Sequence, residues 1–388
     1  MRPVRSTLVV AALLASALTL GSAGPATARP TAAIEPEPNA FPIVLSGNFV
    51  GDSYDDLFFF SPGPEPDILY DFKGAMHDGA VPEVHLYDIQ GAYQPFVGDF
   101  TGSDSRDDIF WYRPGTASDM IWNFTLGDGI GAPEYTVVPV QVSGTYRPVV
   151  GKFVGGARSA YTDDIFWYGP GAIADSLWAF DQVCQSCAPR HVNRSVPSVR
   201  GATYRPVAGN FIDPALEDIY WYAPDGTESI WDFRSDYPGA MRIVNSPALQ
   251  VAGKTYKVAV VDSFEDQWDD LVFAGPGTTP DALWDFYGGS VYKGATPEAI
   301  TGTPAAVLGV EIGALPEADD LFVYYPDQTR GRYYDFFEES NQHFWQRFTF
   351  DPVPLTELPP QVDPVAAAGA TAAAPGGRRW PMSLGAGG

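Results

Sequence analysis

An acidic pair followed by four apolar or aromatic residues recurs six times along this chain, and its regular spacing limits the folds open to it. The pairs are Asp55-Asp56, Asp107-Asp108, Asp163-Asp164, Glu217-Asp218, Asp269-Asp270 and Asp319-Asp320, separated by steps of 52, 56, 54, 52 and 50 residues. A later aromatic keeps the same time at Tyr70, Trp122, Trp178, Trp231, Trp284 and Tyr334. Self-similarity at such a period, with several short strands in each unit, marks a propeller-type repeat array.

The second unit shows how the strands divide. Pro95–Phe100 reads as a strand, Thr101–Arg106 as a loop, and Asp108–Tyr112 as a second strand. Pro114-Gly115 turns the chain into a third strand, Asp119–Phe124, and Tyr135–Val142 forms a fourth. Strands of about 5–6 residues joined by turns fill a unit of this length. The 40 glycines and 36 prolines suit turns and break helices.

The second strand carries the decisive pattern. Ile109-Phe110-Trp111-Tyr112 returns as Ile165-Phe166-Trp167-Tyr168 and Ile219-Tyr220-Trp221-Tyr222, with weaker copies at Leu57–Phe60, Leu271–Ala274 and Leu321–Tyr324. Successive strand residues point to opposite faces, so an unbroken apolar run must be covered on both sides. A two-layer sandwich wets one face of each sheet, whereas a blade wedged between two neighbours wets neither. The expected fold is therefore all-β: a six-bladed β-propeller of four-stranded blades over residues 41–354. A seventh blade would need about fifty more residues. The Pro-rich segment 29–40 is too short for one, and residues 355–388 form a low-complexity tail expected to be disordered.

The ends and the composition bound the setting. Arg2 and Arg5, the apolar run Leu8–Leu20 and Ala26-Thr27-Ala28 make residues 1–28 a signal peptide, which predicts a secreted protein. No second apolar run of membrane length follows, so no transmembrane segment is expected. Without that leader the chain carries 48 acids against 21 bases, a net charge of −27 (23 bases less Arg2 and Arg5). That balance excludes nucleic acid as a partner and welcomes cations. Cys184 and Cys187 form a Cys-x-x-Cys without a βαβ setting or further soft ligands, and read as a disulfide tying down residues 181–197. The four histidines, His77, His85, His191 and His343, fall outside the repeated phrase and read as surface or linker residues.

The phrase Gly98-Asp99-Phe100-Thr101-Gly102, then Asp107-Asp108-Ile109-Phe110-Trp111-Tyr112-x-Pro114-Gly115, resembles the FG-GAP/VCBS repeat of integrin alpha-chain propellers and bacterial secreted proteins. The likeness spans Phe41 to Phe350. It implies a propeller whose loops between the first two strands hold calcium, a cation that takes six to eight oxygens. Asn48, Asp52 and Asp56 keep the family spacing in the first loop, and Asp99 and Asp108 are the matching acids of the second. The remaining loops have lost more: Lys152 opens the third, and Ile212 and Pro214 occupy ligand positions of the fourth. The alternative is that each terminal Asp accepts hydrogen bonds from loop amides.

A second repeated acid precedes the aromatic by three residues. The resulting pairs Asp119/Trp122, Asp175/Trp178, Glu228/Trp231 and Asp281/Trp284 resemble the equipment of propeller lectins, with a carboxylate for hydroxyls and a ring for stacking. The competing reading places these rings in the core between blades and has the acids close the preceding turn. An acidic dipeptide in a strand splays to opposite faces and makes a poor acid/base pair, and no nucleophile elbow or His-Glu-x-x-His occurs. The expectation is a non-catalytic binding module for an extracellular carbohydrate or protein surface. A polysaccharide hydrolase or lyase built from scattered loops is the alternative, and the oligomeric state is left open.

Overall fold

The computed structural model describes residues 42–350, apart from 53, 73–81, 103–105, 126–132, 156–161, 181–189, 201–203, 225–226, 237–239, 248–254, 264–265, 289, 295–299, 301, 313–318, 326–329 and 340–341, together with Arg378 and Arg379. Residues 1–28, read above as a signal peptide, and both cysteines lie outside these residues. Six antiparallel four-stranded sheets follow one another along the chain, each with its strands in sequence order. Blade 1 runs from Ile43 to Tyr87, blade 2 from Gln94 to Val140 and blade 3 from Arg147 to Arg194. Blade 4 spans Arg205 to Pro247, blade 5 Lys257 to Gly294 and blade 6 Ala306 to Phe350. In blade 2 the strands are Gln94–Gly98, Asp108–Tyr112, Asp119–Thr125 and Glu134–Val140, within two residues of the bounds read from the sequence. A two-residue strand, Arg378–Arg379, pairs with the outer strand of blade 1 opposite Val84 and Glu83. Among the described residues no helix is long and apolar enough to cross a membrane.

The second strand of every blade is buried along its full length. Its alternate residues serve opposite neighbours. Trp111 meets Phe60 of blade 1 with ring centroids 5.0 Å apart, while the adjacent Phe110 meets Trp167 of blade 3 at 5.6 Å. Such edge-on pairs add roughly 0.5–1.5 kcal/mol to the apolar burial. Six buried clusters result, one for each boundary between neighbouring blades. The boundary between blades 6 and 1 is built like the others, with Phe59 5.5 Å from Tyr324 and Val44 and Leu57 packed with Val310 and Phe322. The sheets therefore close into a six-bladed propeller.

The innermost strands approach one another closely around the axis. A Cβ on Gly98 would lie 2.6 Å from Val150 Cγ1 of blade 3, and one on Gly47 would lie 2.7 Å from Val97 of blade 2. Steric room, not backbone freedom, explains the Gly that ends the first strand in four of the six units, at Gly47, Gly98, Gly151 and Gly209.

Candidate functional site

The two acids of each repeated pair do different work. The second, Asp56, Asp108, Asp164, Asp218, Asp270 and Asp320, is buried at 0–1 % exposure. Asp164 is representative: Oδ2 accepts the amides of Phe153 and Val154, and Oδ1 that of Phe180 at the end of the third strand. One carboxylate thus fixes the first loop and ties it to the third strand. Asp56 does the same with Phe49, Val50 and Phe72. Asp270 takes Ser263 by amide and hydroxyl, with Phe286 beyond.

The first acid of each pair is partly exposed and reaches across to the preceding blade. Asp107 Oδ2 accepts the Asn48 amide at 2.8 Å while the Asp107 amide donates to Asn48 O at 2.9 Å. The same clasp joins Asp163 to Asp99, Asp269 to Asn210 and Asp319 to Asp262. Glu217 donates its amide to Lys152 O. The last blade joins the first in this way too: the Asp55 amide donates to Glu311 O at 2.8 Å, and Asp55 Oδ2 accepts the Glu311 amide at 3.1 Å.

These clasps gather carboxylates at one end of the innermost strands. Burial, then mutual repulsion, raises their pKa values. Asp107 is pushed up to about 7, chiefly by desolvation and then by Asp163. Glu217 reaches about 8, from burial first and then Asp163 and Asp269. Asp319 reaches about 6, and Asp262 and Glu311 about 7. Asp55 is raised well above the usual range by burial and by Asp107. Lys152 supplies a counter-charge that lowers Asp107, Asp163 and Glu217.

The loop residues expected to hold calcium are turned to their own backbone. Asn48 Oδ1 accepts the Gly51 amide at 2.6 Å, Asp52 Oδ1 accepts that of Tyr54 at 2.9 Å, and both oxygens of Asp56 are engaged as above. Asp99 Oδ1 accepts the amides of Thr101 and Gly102, and Asp108 Oδ2 that of Phe100. The buried guanidinium of Arg106 reaches from blade 2 into the first loop, donating to Val50 O at 3.0 Å and filling the space beside Gly51. A fixed positive charge there opposes a second cation. The described residues of these two loops show the amide capping of the alternative reading, while residues 53 and 103–105 lie outside the described residues.

The Asp/Trp series also turns inward. Trp122, Trp178, Trp231 and Trp284 are 4–9 % exposed and lie in the interblade clusters. Residues of the outer strand cover two of them: Tyr135 stacks on Trp122 at 3.9 Å and His191 on Trp178 at 3.7 Å. Asp119 accepts the amides of Arg113 and Val142, Asp175 those of Gly169 and Val199, and Asp281 those of Gly275 and Ile300. Glu228 instead accepts the Tyr220 hydroxyl at 3.0 Å. The three aspartates close the turn between the second and third strands, and the four Trp rings are buried in the scaffold.

Two places break the repeat. In blade 5, Tyr287 is 57 % exposed, the most exposed of the aromatic side chains described, and its ring lies 4.4 Å from that of the half-buried Trp268. The Trp268 amide donates to Asp266 Oδ1 at 2.9 Å, which puts a carboxylate at the foot of the pair. Other units place Tyr54, Arg106, Thr162, Leu216 and Ala318 where Trp268 stands. That solitary Trp beside an acidic pair was the available sequence signal, and the repeat hid it. In blade 1, Asp71, Glu83 and His85 bring ligand atoms within 4.8 Å of one another. His85 is 3 % exposed on the outer strand, which corrects its reading as a surface or linker residue. His191 is exposed but occupied by its stacking, and His77 lies outside the described residues. The chain matches no protein-family model and no curated protein.

Proposed function

We propose that this chain is a secreted, non-catalytic binding protein of the FG-GAP/VCBS type whose propeller presents a site for an extracellular ligand. Carbohydrate is the leading class and a protein surface the second. The aromatic pair of Trp268 and Tyr287 beside Asp266 carries this reading. An exposed ring accepts the apolar face of a sugar, and a carboxylate nearby accepts its hydroxyls, the combination of apolar wall and few polar groups that small-ligand sites use. The pair sits where the loop between the first two strands of blade 5 meets its last hairpin, which turns at Gly288 (φ 56°). A strongly acidic surface favours neutral or cationic glycans over anionic ones.

Binding is taken to be independent of calcium, because the loop acids are already held by amides. A glycan array probed with the wild-type chain, with and without EDTA, tests the proposal. Bound glycans that persist in EDTA and vanish with Trp268→Ala and Tyr287→Ala support it. An empty array, binding indifferent to both substitutions, or turnover of a bound polysaccharide would count against it.

A further inference from the structure

We propose that Asp71, Glu83 and His85 form a binding site for one divalent transition-metal ion of the zinc class in the outer half of blade 1, independent of the glycan reading. The site follows from strand register. Asp71 closes the third strand directly opposite Glu83, and His85 lies two residues farther along the outer strand, opposite Leu69. The two-residue period puts all three side chains on one face. That face turns toward blade 2, since Tyr87, the next residue in phase, lies 5.7 Å from Trp122.

The spacing suits coordination better than a simple ion pair. His85 Nε2 stands 3.4 Å from Asp71 Oδ2, long for a charge-assisted hydrogen bond, with both side chains only 1 % exposed. Two ligands on a tetrahedral ion with bonds of about 2.0–2.1 Å lie about 3.4 Å apart. Glu83 is half-buried at the outer side of the trio. One imidazole with two carboxylates is a mixed donor set that favours zinc-class ions over the all-oxygen shell calcium takes.

The other blades serve as internal controls. The three positions become Asn123, Thr136 and Val138 in blade 2, and Ala179, Val192 and Arg194 in blade 3. Blade 5 has Asp285, Tyr292 and Gly294, and blade 6 has Asp335, Gln346 and Phe348. Blade 4 keeps only the acid, Asp232, with Val244 and Ser246 opposite, and settles it with the Arg234 guanidinium on the same strand. The fold thus asks for no charged trio here. Blade 1 has one, with Asp71 and His85 buried and Glu83 half-buried.

The test uses the full chain, stripped by a chelator and titrated with zinc by calorimetry, with cobalt absorption as a second readout. One equivalent of zinc should bind, undisplaced by millimolar calcium. Affinity should drop about a hundredfold or more in His85→Gln and about tenfold or more in Glu83→Gln, by analogy with the 10–100-fold cost of losing even indirect metal support. Asp232→Asn should bind zinc as the wild type does. Bound cobalt should show the visible bands of a low-coordinate nitrogen/oxygen site, changed in Glu83→Gln should His85→Gln fail to fold. No stoichiometric zinc, or uptake equal in wild type and Glu83→Gln, would overturn the site and leave a buried carboxylate–imidazole pair.

Discussion

The inner and outer halves of the propeller obey different rules. Inner and second strands repeat the same solution in every blade: a continuous apolar strand, a buried acid gripping backbone amides, and a half-exposed acid clasping the blade before. Outer strands share little. That of blade 2 is mostly exposed and that of blade 3 nearly wholly so, whereas blade 1 buries a histidine in its own. Repetition here marks the parts that every blade needs in order to stand. Departures from it mark what one blade does alone, and both functional proposals rest on such departures.

The sharpest way to break this comparison is to remove each acid of one pair. Asp164→Ala strands the amides of Phe153, Val154 and Phe180 in the interior. At about 1–3 kcal/mol per orphaned group, with partial relaxation, a loss of about 3–5 kcal/mol is expected in urea denaturation. Asp163→Ala frees one amide, that of Asp99, in a partly wet site, and should cost about 1–2 kcal/mol. Equal losses would erase the distinction between the two acids. Gly98→Ala comes next, since its methyl meets Val150 and Phe100, and about 1–3 kcal/mol of overpacking is expected.

A pH series probes the clasps as a group. Asp319, Asp107 and Glu217 are raised to about 6, 7 and 8 in the folded chain. The folded state therefore holds more protons than the unfolded one between about pH 4 and 8, and stability falls as pH rises through that window. Thermal melting should occur at a higher temperature at pH 5 than at pH 8, and Glu217→Gln should flatten the difference. Unchanged or reversed melting would mean that the clasps stay ionised at little cost. The smallest stability effect is expected for Tyr287→Ala, within about 0.5 kcal/mol, because a ring that exposed buries little. Loss of glycan binding without loss of stability separates ligand surface from scaffold.

Much of the scaffold was legible in the sequence because its physics is local. Period-two geometry turns Ile109–Tyr112 into a strand covered on both sides, and the structure buries it so. The Asp119/Trp122 type of pair was legible as two alternatives that burial separates. The clasps were not legible, because Asp55 and Glu311 are 256 residues apart and only ring closure brings them together. His85 escaped for a related reason. Its burial comes from blade 2 and from the opposite strand, neither of which its own stretch Glu83–Tyr87 reveals. Trp268 stood in plain view, but attention to what repeats passes over what does not.

Hydrogen exchange at the seam between the last and first blades tests the closed ring most directly. The Asp55 and Glu311 amides should be protected to the same degree as those of Asp107 and Asn48, which clasp blades 1 and 2. Exchange of the seam pair at the rate of unstructured amides, with the Asp107 and Asn48 pair still protected, would mean that the six blades form an open row.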